Sequence, residues 1–499
     1  MKLSTCASLA LLLALGGALG CGDDDQPMDA GFDGDSPGDV GTQDGGPDSG
    51  PDAGPMDAGN DSGPMDAGPP YPNVTCDDLG RTNEVRIAQS DSAALINAVN
   101  DLSPDTCILL AAGTYRLDNS VTIREDSITI VGQGMGLTTL SFGGVTTQVN
   151  GVDVIGDDFV IADLTVLDAP KDAIRVENSD GVTYRRVETT WTNEEDSENG
   201  AYGIYPVRCR NVLIEECVCT NASDAGLYVG QSINVIVRNN TIRGNVAGLE
   251  IENTQFADVY DNVAENNTAG IVVFDLPGNP VVGRDVRIRD NMIINNNTTN
   301  FAPGGVVAVI PAGVGTFTLA SRRVEILNNT YMNNNSVDIA LLSGDVVEGE
   351  SNWVLNTEDL VGDWEDLGLR EGPDEGTILN NRNRNIVVSG NTHMGSGTMA
   401  DSGKELGLLL LVLYGAEVPS IIYGGIGESM FDADVAANNS NDNHICVGGN
   451  TEANSFGQMD IETQGETPGS PNLVIPDAPF APFDCTELEG GPVAEVTLP

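Results

Sequence analysis

Only three lysines, Lys2, Lys171 and Lys404, and two histidines, His393 and His444, occur in 499 residues, and aromatics make up 5% of the chain. So few imidazoles nearly exclude a histidine-pair mechanism or a histidine-rich metal site. Bases are scarce altogether: 75 acids stand against 22 bases, a net charge of −53. Nucleic acid and anionic lipid surfaces are excluded as partners, since both need basic patches. Past the first 21 residues no apolar run is long enough to span a bilayer. Leu408–Leu413 is strongly apolar but short and reads as a buried strand. What the chain does have is glycine, 60 residues, which with few aromatics fits many tight turns better than a helical bundle.

Lys2 and the apolar run 8–20 form a leader too short for a stable span. It ends Ala18-Leu19-Gly20-Cys21 and resembles a bacterial lipoprotein signal, although that pattern prefers Leu where Ala18 stands. The resemblance implies cleavage after residue 20, acylation of Cys21, and an outer-membrane lipoprotein facing the periplasm or the cell surface. An ordinary secretory signal with an incidental cysteine is the alternative. Either reading exports the chain and allows disulfides. Residues 21–72 follow as a tether; 22–72 hold 13 Asp and no Lys, Arg or Glu, with GPMDAG at 54–59 and 63–68. Such a segment buries too little apolar surface to fold, and its charges repel.

Beyond it lies one repeating unit. NVIVRNNTI (234–242), ADVYDNVAE (257–265), DVRIRDNMI (285–293), RVEILNNTY (323–331), NIVVSGNTH (385–393) and HICVGGNTE (444–452) alternate apolar residues and then reach an Asn at one place. These are Asn240, Asn262, Asn291, Asn329, Asn391 and Asn450, with Leu164, Val187 and Cys217 at that position in earlier coils. A second run carries Gly203, Gly226, Gly248 and Gly270, 23, 22 and 22 residues apart. A strand cannot bury an apolar face alone, but stacked coils give it a core and parallel partners. Asn suits the turns because it tolerates left-handed backbone and its amide bonds to neighbouring coils.

On these segments the chain resembles the right-handed parallel β-helix proteins of the pectate-lyase-like superfamily. DAGLYVGQS (224–232), VAGLEIENT (246–254) and GIVVFDLPG (270–278) resemble more closely a family of exported bacterial β-helix lipoproteins of unassigned activity. The resemblance implies an all-β solenoid with an N-terminal cap at 73–118 that includes a helix. The β-helix follows at 119–455, with its coils running from about 105, a long insertion at 345–384, and a C-terminal cap at 456–499. Cys76–Cys107 and Cys446–Cys485 are expected as disulfides about the two caps. Cys209, Cys217 and Cys219 read as buried thiols or one local bridge, with no metal. Gly132-Gln133-Gly134-Met135-Gly136 reads as a turn, because a β-type run follows it where a phosphate site needs a helix.

With the glycines in register, Ile204, Leu227, Leu249 and Ile271 point inward and their neighbours outward, onto an exposed sheet. The outward grid offers Arg175, Tyr205, Arg208, Tyr228, Gln231, Glu250 and Asn253 to a polysaccharide, whose rings would lie on the tyrosines. Glu252 and Asp275, on adjacent coils, are the candidate catalytic carboxylates of a glycosidase. A lyase or epimerase would instead use a tyrosine or Arg208, with Ca²⁺ held by acids as its cofactor. The loops 190–201 and 345–384 are expected to wall this face. The reading of a different class is a non-catalytic, monomeric surface module that binds a glycan or protein partner.

Overall fold

The computed structural model describes Cys76 and residues 79–347, 350–424, 441–450, 456–459, 474–475 and 483–499. The expected signal, Cys21 and the tether lie outside the described residues. The fold is a right-handed parallel β-helix with three strands to a coil. First strands such as Arg210–Glu215, Ile233–Arg238 and Gln255–Tyr260 stack in parallel, as do second strands such as Val218–Thr220, Thr241–Arg243 and Val263–Glu265. Third strands, including Tyr202–Val207, Ala225–Gly230, Ala247–Glu252 and Ala269–Phe274, form a separate twelve-stranded sheet. The ladder starts earlier than its sequence pattern, because Asn83–Ile87 already pairs with Thr106–Leu110. Between those two strands the capping helix Ser92–Asn100 buries Leu95 and Val99, and the Asp91 carboxylate accepts from the Ala94 amide at 3.0 Å. Cys76 is bridged to Cys107 and Cys446 to Cys485, while Cys209, Cys217 and Cys219 are free and buried.

From Asn240 onward the corners between first and second strands are held by the expected asparagines. The Asn240 backbone and side-chain amides both donate to Asn262 Oδ1, at 3.0 and 2.9 Å. Asn262 does the same to Asn291, and the ladder runs on through Asn329 and Asn391 to Asn450. Each amide also donates to a strand carbonyl of the preceding coil, as Asn262 does to Val237 at 3.0 Å. The left-handed conformation falls on the residue before, at Asn239, Asp261, Asp290 and Asn328, each with φ between 55° and 57°. Two adjacent residues thus divide the roles expected of one. A second ladder, Asn245–Asn267–Asn296–Asn334, holds the next corner. It explains the glycine column: a Cβ on Gly226 would stand 2.6 Å from the Asn245 amide nitrogen.

Leu408–Leu413 is not a strand. Glu405–Tyr414 is an α-helix that buries Leu406 and Leu410, one turn apart, and ends at Gly415 with φ 71°. Leucine is a strong helix former, and Val412 is the segment's one β-branched residue. The insertion forms a small antiparallel sheet from Val354–Asn356, Thr377–Leu379 and Arg370–Glu371.

Replacing Asn262 by Ala should cost about 2–3 kcal/mol in urea unfolding, since it strands the Asn240 amides and the Val237 carbonyl. A loss below about 0.5 kcal/mol would show that the ladder decorates the coils without holding them.

Candidate active site

The third-strand register is as expected: Ile204, Leu227, Leu249 and Ile271 are aligned and wholly buried inside the coils. Arg175, Tyr205, Tyr228 and Glu250 follow as the outward column. That column is not an exposed sheet. Tyr228 and Glu250 are 4% and 2% exposed, and Gln231, Asn253 and Asp275 are buried too. Tyr228, Val272, Phe274 and Phe317 belong to a second apolar core outside the coils. Segment 301–310, Trp353 of the insertion and the helix Glu405–Tyr414 roof it. Among the described residues the face is open where Tyr205 and Glu252 are half-buried and Arg208 is exposed. The expectation of an open face failed because strand alternation gives the side of the sheet, not what a distant segment lays on it.

At the open end three tyrosines meet. Tyr202, which the sequence reading passed over, lies 4.7 Å from both Tyr205 and Tyr228, and those two meet edge to face at 4.9 Å between ring centroids. The Arg175 guanidinium stands 6.0 Å from the Tyr205 ring and pairs with Asp153 and Glu177. Arg208 pairs with Glu177 at 3.4 Å.

Beside the tyrosines, four carboxyl groups act on one another: Asp172, Asp224, Glu250 and Glu252. Glu252 accepts from Gln231 at 3.1 Å and Asn279 at 3.0 Å, and also from Tyr228 and the Glu250 carboxyl. The Tyr202 hydroxyl donates to Asp224 Oδ2 at 3.3 Å. One oxygen each of Asp172, Asp224 and Glu250 is buried without a hydrogen-bond partner. Burial, with the Glu252 charge second, pushes Asp224 up to about 7. Burial, then the charges of Asp224 and Glu252, pushes Glu250 well above the ordinary carboxylate range. Burial likewise carries Asp172 to about 6. Burial raises Glu252 as well, against hydrogen bonds from Tyr228, Asn279 and Glu250 that lower it, so it is the group of the four best supplied with donors. A Cβ on Gly305 would lie 3.8 Å from Asp224 Oδ2, so segment 301–310 passes over this cluster.

Asp275, expected to work opposite Glu252, is instead pinned. Asn253, Asn380 and the Gly283 amide donate to it at 2.6, 2.8 and 3.1 Å. Burial raises it to about 7 even so. Asn380 belongs to the insertion, so that wall closes over Asp275 and does not merely flank it. Asp172 and Asp224 were missed. Their signal was the dipeptide Asp-Ala that opens the third run at 172–173 and again at 224–225. Among the described residues, three ligand atoms meet within 4.8 Å only at His444, Cys446 and Cys485, and both cysteines are in a disulfide. The acids do not assemble the close donor set that Ca²⁺ would take.

The description "Right handed beta helix region" matches residues 148–307. The chain has the right-handed β-helix fold. No curated protein matches the sequence. Among solved structures, the β-helix is similar to the A-module of mannuronan C-5 epimerase AlgE4 from Azotobacter vinelandii, at 16% identity and TM-score 0.42, over 75% of this chain and 93% of that one. It is similar also to an exopolygalacturonase from Thermotoga maritima, at 12% identity and TM-score 0.40, over 63% and 88%. An alginate lyase from Paenibacillus gives 15% identity and TM-score 0.37, over 63% and 96%. These are likenesses of fold.

Two outcomes follow. Tyr228→Ala should cost about 3 kcal/mol or more, because the ring is buried; a fully stable variant in a thermal melt would return the ring to the surface. Unfolded carboxylates ionise near pH 4, whereas burial here holds protons to about 6 or 7. The folded state binds more protons across that window, so its stability falls as pH rises through it. Glu250→Gln, a neutral isostere, should raise the thermal midpoint near neutrality and flatten the decline; an unchanged slope would mean the cluster is not the source.

Proposed function

We propose that this β-helix protein is an exported lipoprotein, anchored through Cys21, that binds polysaccharide at the tyrosine cluster and hydrolyses a glycosidic bond by carboxyl chemistry. The observation carrying the reading is the contrast between Asp224, with one buried oxygen left unpartnered, and Glu252, which accepts from Gln231 and Asn279. Burial first, and Glu252 second, raise Asp224 to about 7, and its Oδ1 has no partner. A retained proton next to a carboxylate rich in donors is the pairing that glycosidic cleavage needs. Asp224 serves as general acid and Glu252 as the facing carboxylate. Glu250 and Tyr228 hold Glu252 in place, and Tyr205 gives the sugar an apolar platform beside Arg175 and Arg208. The carboxyl pair favours hydrolysis over β-elimination.

The test is turnover of neutral glycans and uronans by the full chain, read as new reducing ends and as absorbance of unsaturated products. Asp224→Asn and Glu252→Gln should each lose at least about a hundredfold in rate, while Tyr205→Ala should mainly weaken binding. Turnover that survives both carboxyl replacements would overturn the assignment. Binding with no product of either kind would favour the non-catalytic module, a reading supported by the roof over Tyr228 and Glu250. Cys21→Ala should move the protein from the membrane to the soluble fraction.

A further inference from the structure

A cavity of about 490 Å³ lies away from the tyrosine cluster, lined by Arg284, Arg322, Arg323, Arg384, Asp366 and Glu489. It gathers four arginines in a chain with a net charge of −53. Three of them form a column. Arg284, Arg322 and Arg384 each open a first strand, in Arg284–Arg289, Arg322–Leu327 and Arg384–Ser389, on consecutive coils. Arg322 and Arg384 are direct ladder partners, and the pairing of Val286 with Val324 puts Arg284 level with them. Adjacent coils are about 4.8 Å apart, so like charges stand one above another, an arrangement that is destabilising unless something negative lies between.

The chain's own acids show what fits. Asp285 is buried against Arg284 and Arg323 as part of the floor. At the rim, Asp366 from the insertion sets its two oxygens on Arg284 at 2.6 and 3.3 Å. Glu489 from the C-terminal segment stands 3.8 Å from Arg384. Both rim side chains are more than half exposed, 71% and 57%, and are free to swing into water. Deep in the site Arg322 is 3% exposed and donates through Nε to Asn380 at 2.9 Å. Burial lowers its guanidinium to about 10, with Asp275 opposing and Arg384, Arg370 and Arg382 adding to the fall.

We propose that this cavity is an oxyanion-binding site, taking a carboxylate, sulfate or phosphate group of a ligand between the guanidinium groups of Arg284, Arg322 and Arg384. The planar forks match such groups in paired hydrogen bonds. The incoming anion displaces the rim carboxylates of Asp366 and Glu489 and offsets the stacked charge. The site stands on its own residues and needs no turnover at the tyrosine cluster.

The experiment is titration calorimetry of the full chain at low salt with sulfate, phosphate and glucuronate in separate arms. Saturable binding that weakens with added sodium chloride is expected. A preference for glucuronate identifies a sugar acid as the source, and a preference for sulfate or phosphate identifies an esterified group; either supports the site. Arg384→Gln, at a partly exposed strand start, should weaken binding roughly tenfold, with an unchanged thermal midpoint as the control for folding. Glu489→Gln should tighten binding several-fold, because it removes the competing carboxylate. No saturable binding in any arm, or equal affinity in the parent and Arg384→Gln, overturns the proposal.

Discussion

The structure depends on the way buried backbone and amide groups are satisfied at the corners of the coils. A corner must turn the chain, bury its inner side and leave no N–H without an acceptor. Here a left-handed residue makes the turn, and the asparagine after it faces inward and meets the coils on either side. Asn240, Asn262 and Asn291 each give and receive along the column, so a corner formed on one coil supplies the acceptor for the next. Neighbouring coils are thereby kept in register, and every outward side chain inherits its position. Where Leu164, Val187 and Cys217 replace asparagine, the turn survives on Asp163, Arg186 and Glu216, all with positive φ, but the side-chain ladder ends. Asn240 finishes it by accepting from the Cys217 backbone at 2.9 Å.

From that register comes an unusual use of the third sheet. Its inner face serves the coil core and its outer face serves a second core beneath the roof, so from Tyr228 onward the sheet is buried on both sides. The acids Glu250 and Glu252 therefore stand where water is scarce and ionisation is costly. Asp224 stands beside them, and burial raises the proton affinity of all three. The raised proton affinity of these acids thus follows from the burial that coil register and roof impose together.

The fold was legible because its signals repeat. The Asn recurs from Asn240 to Asn450 and the Gly from Gly203 to Gly270, and a mistake in one segment is corrected by the next. The disulfides about the caps were legible for a related reason, since the caps end the repeat on either side. The candidate site was legible in its column and not in its environment. Tyr228 and Glu250 were placed on the outward side correctly, but their burial depends on residues 301–310, 353 and 405–414, which lie outside the repeat. A six-residue apolar run cannot tell strand from helix by itself, and Leu408–Leu413 lacked a register to settle it. Asp172 and Asp224 escaped because they precede the strands, where the alternation used to choose outward residues had not begun.

Charge is distributed in this molecule as unevenly as the cores are. Many arginines are spent on neighbouring acids across coils, as Arg185 and Arg238 are on Glu215, and Arg289 on Asp258. Those pairs offset the self-repulsion of a highly acidic chain locally. Two places stand apart: buried acids clustered beside the tyrosines, and arginines stacked on arginines at the cavity. A hydrogen-bond chain runs between them, from Glu252 through Asn279, Asn253, Asp275 and Asn380 to Arg322. Asp275 sits near its middle, held by amides on one side and by the field of Arg322 on the other. Burial raises its affinity for a proton and the charge of Arg322 lowers it, so a change of charge in the cavity is felt at Asp275 before it reaches Glu252. Its place in the molecule is thus a joint between two charged regions, which accounts for its complete burial and its three donors better than a role in opposing Glu252 would.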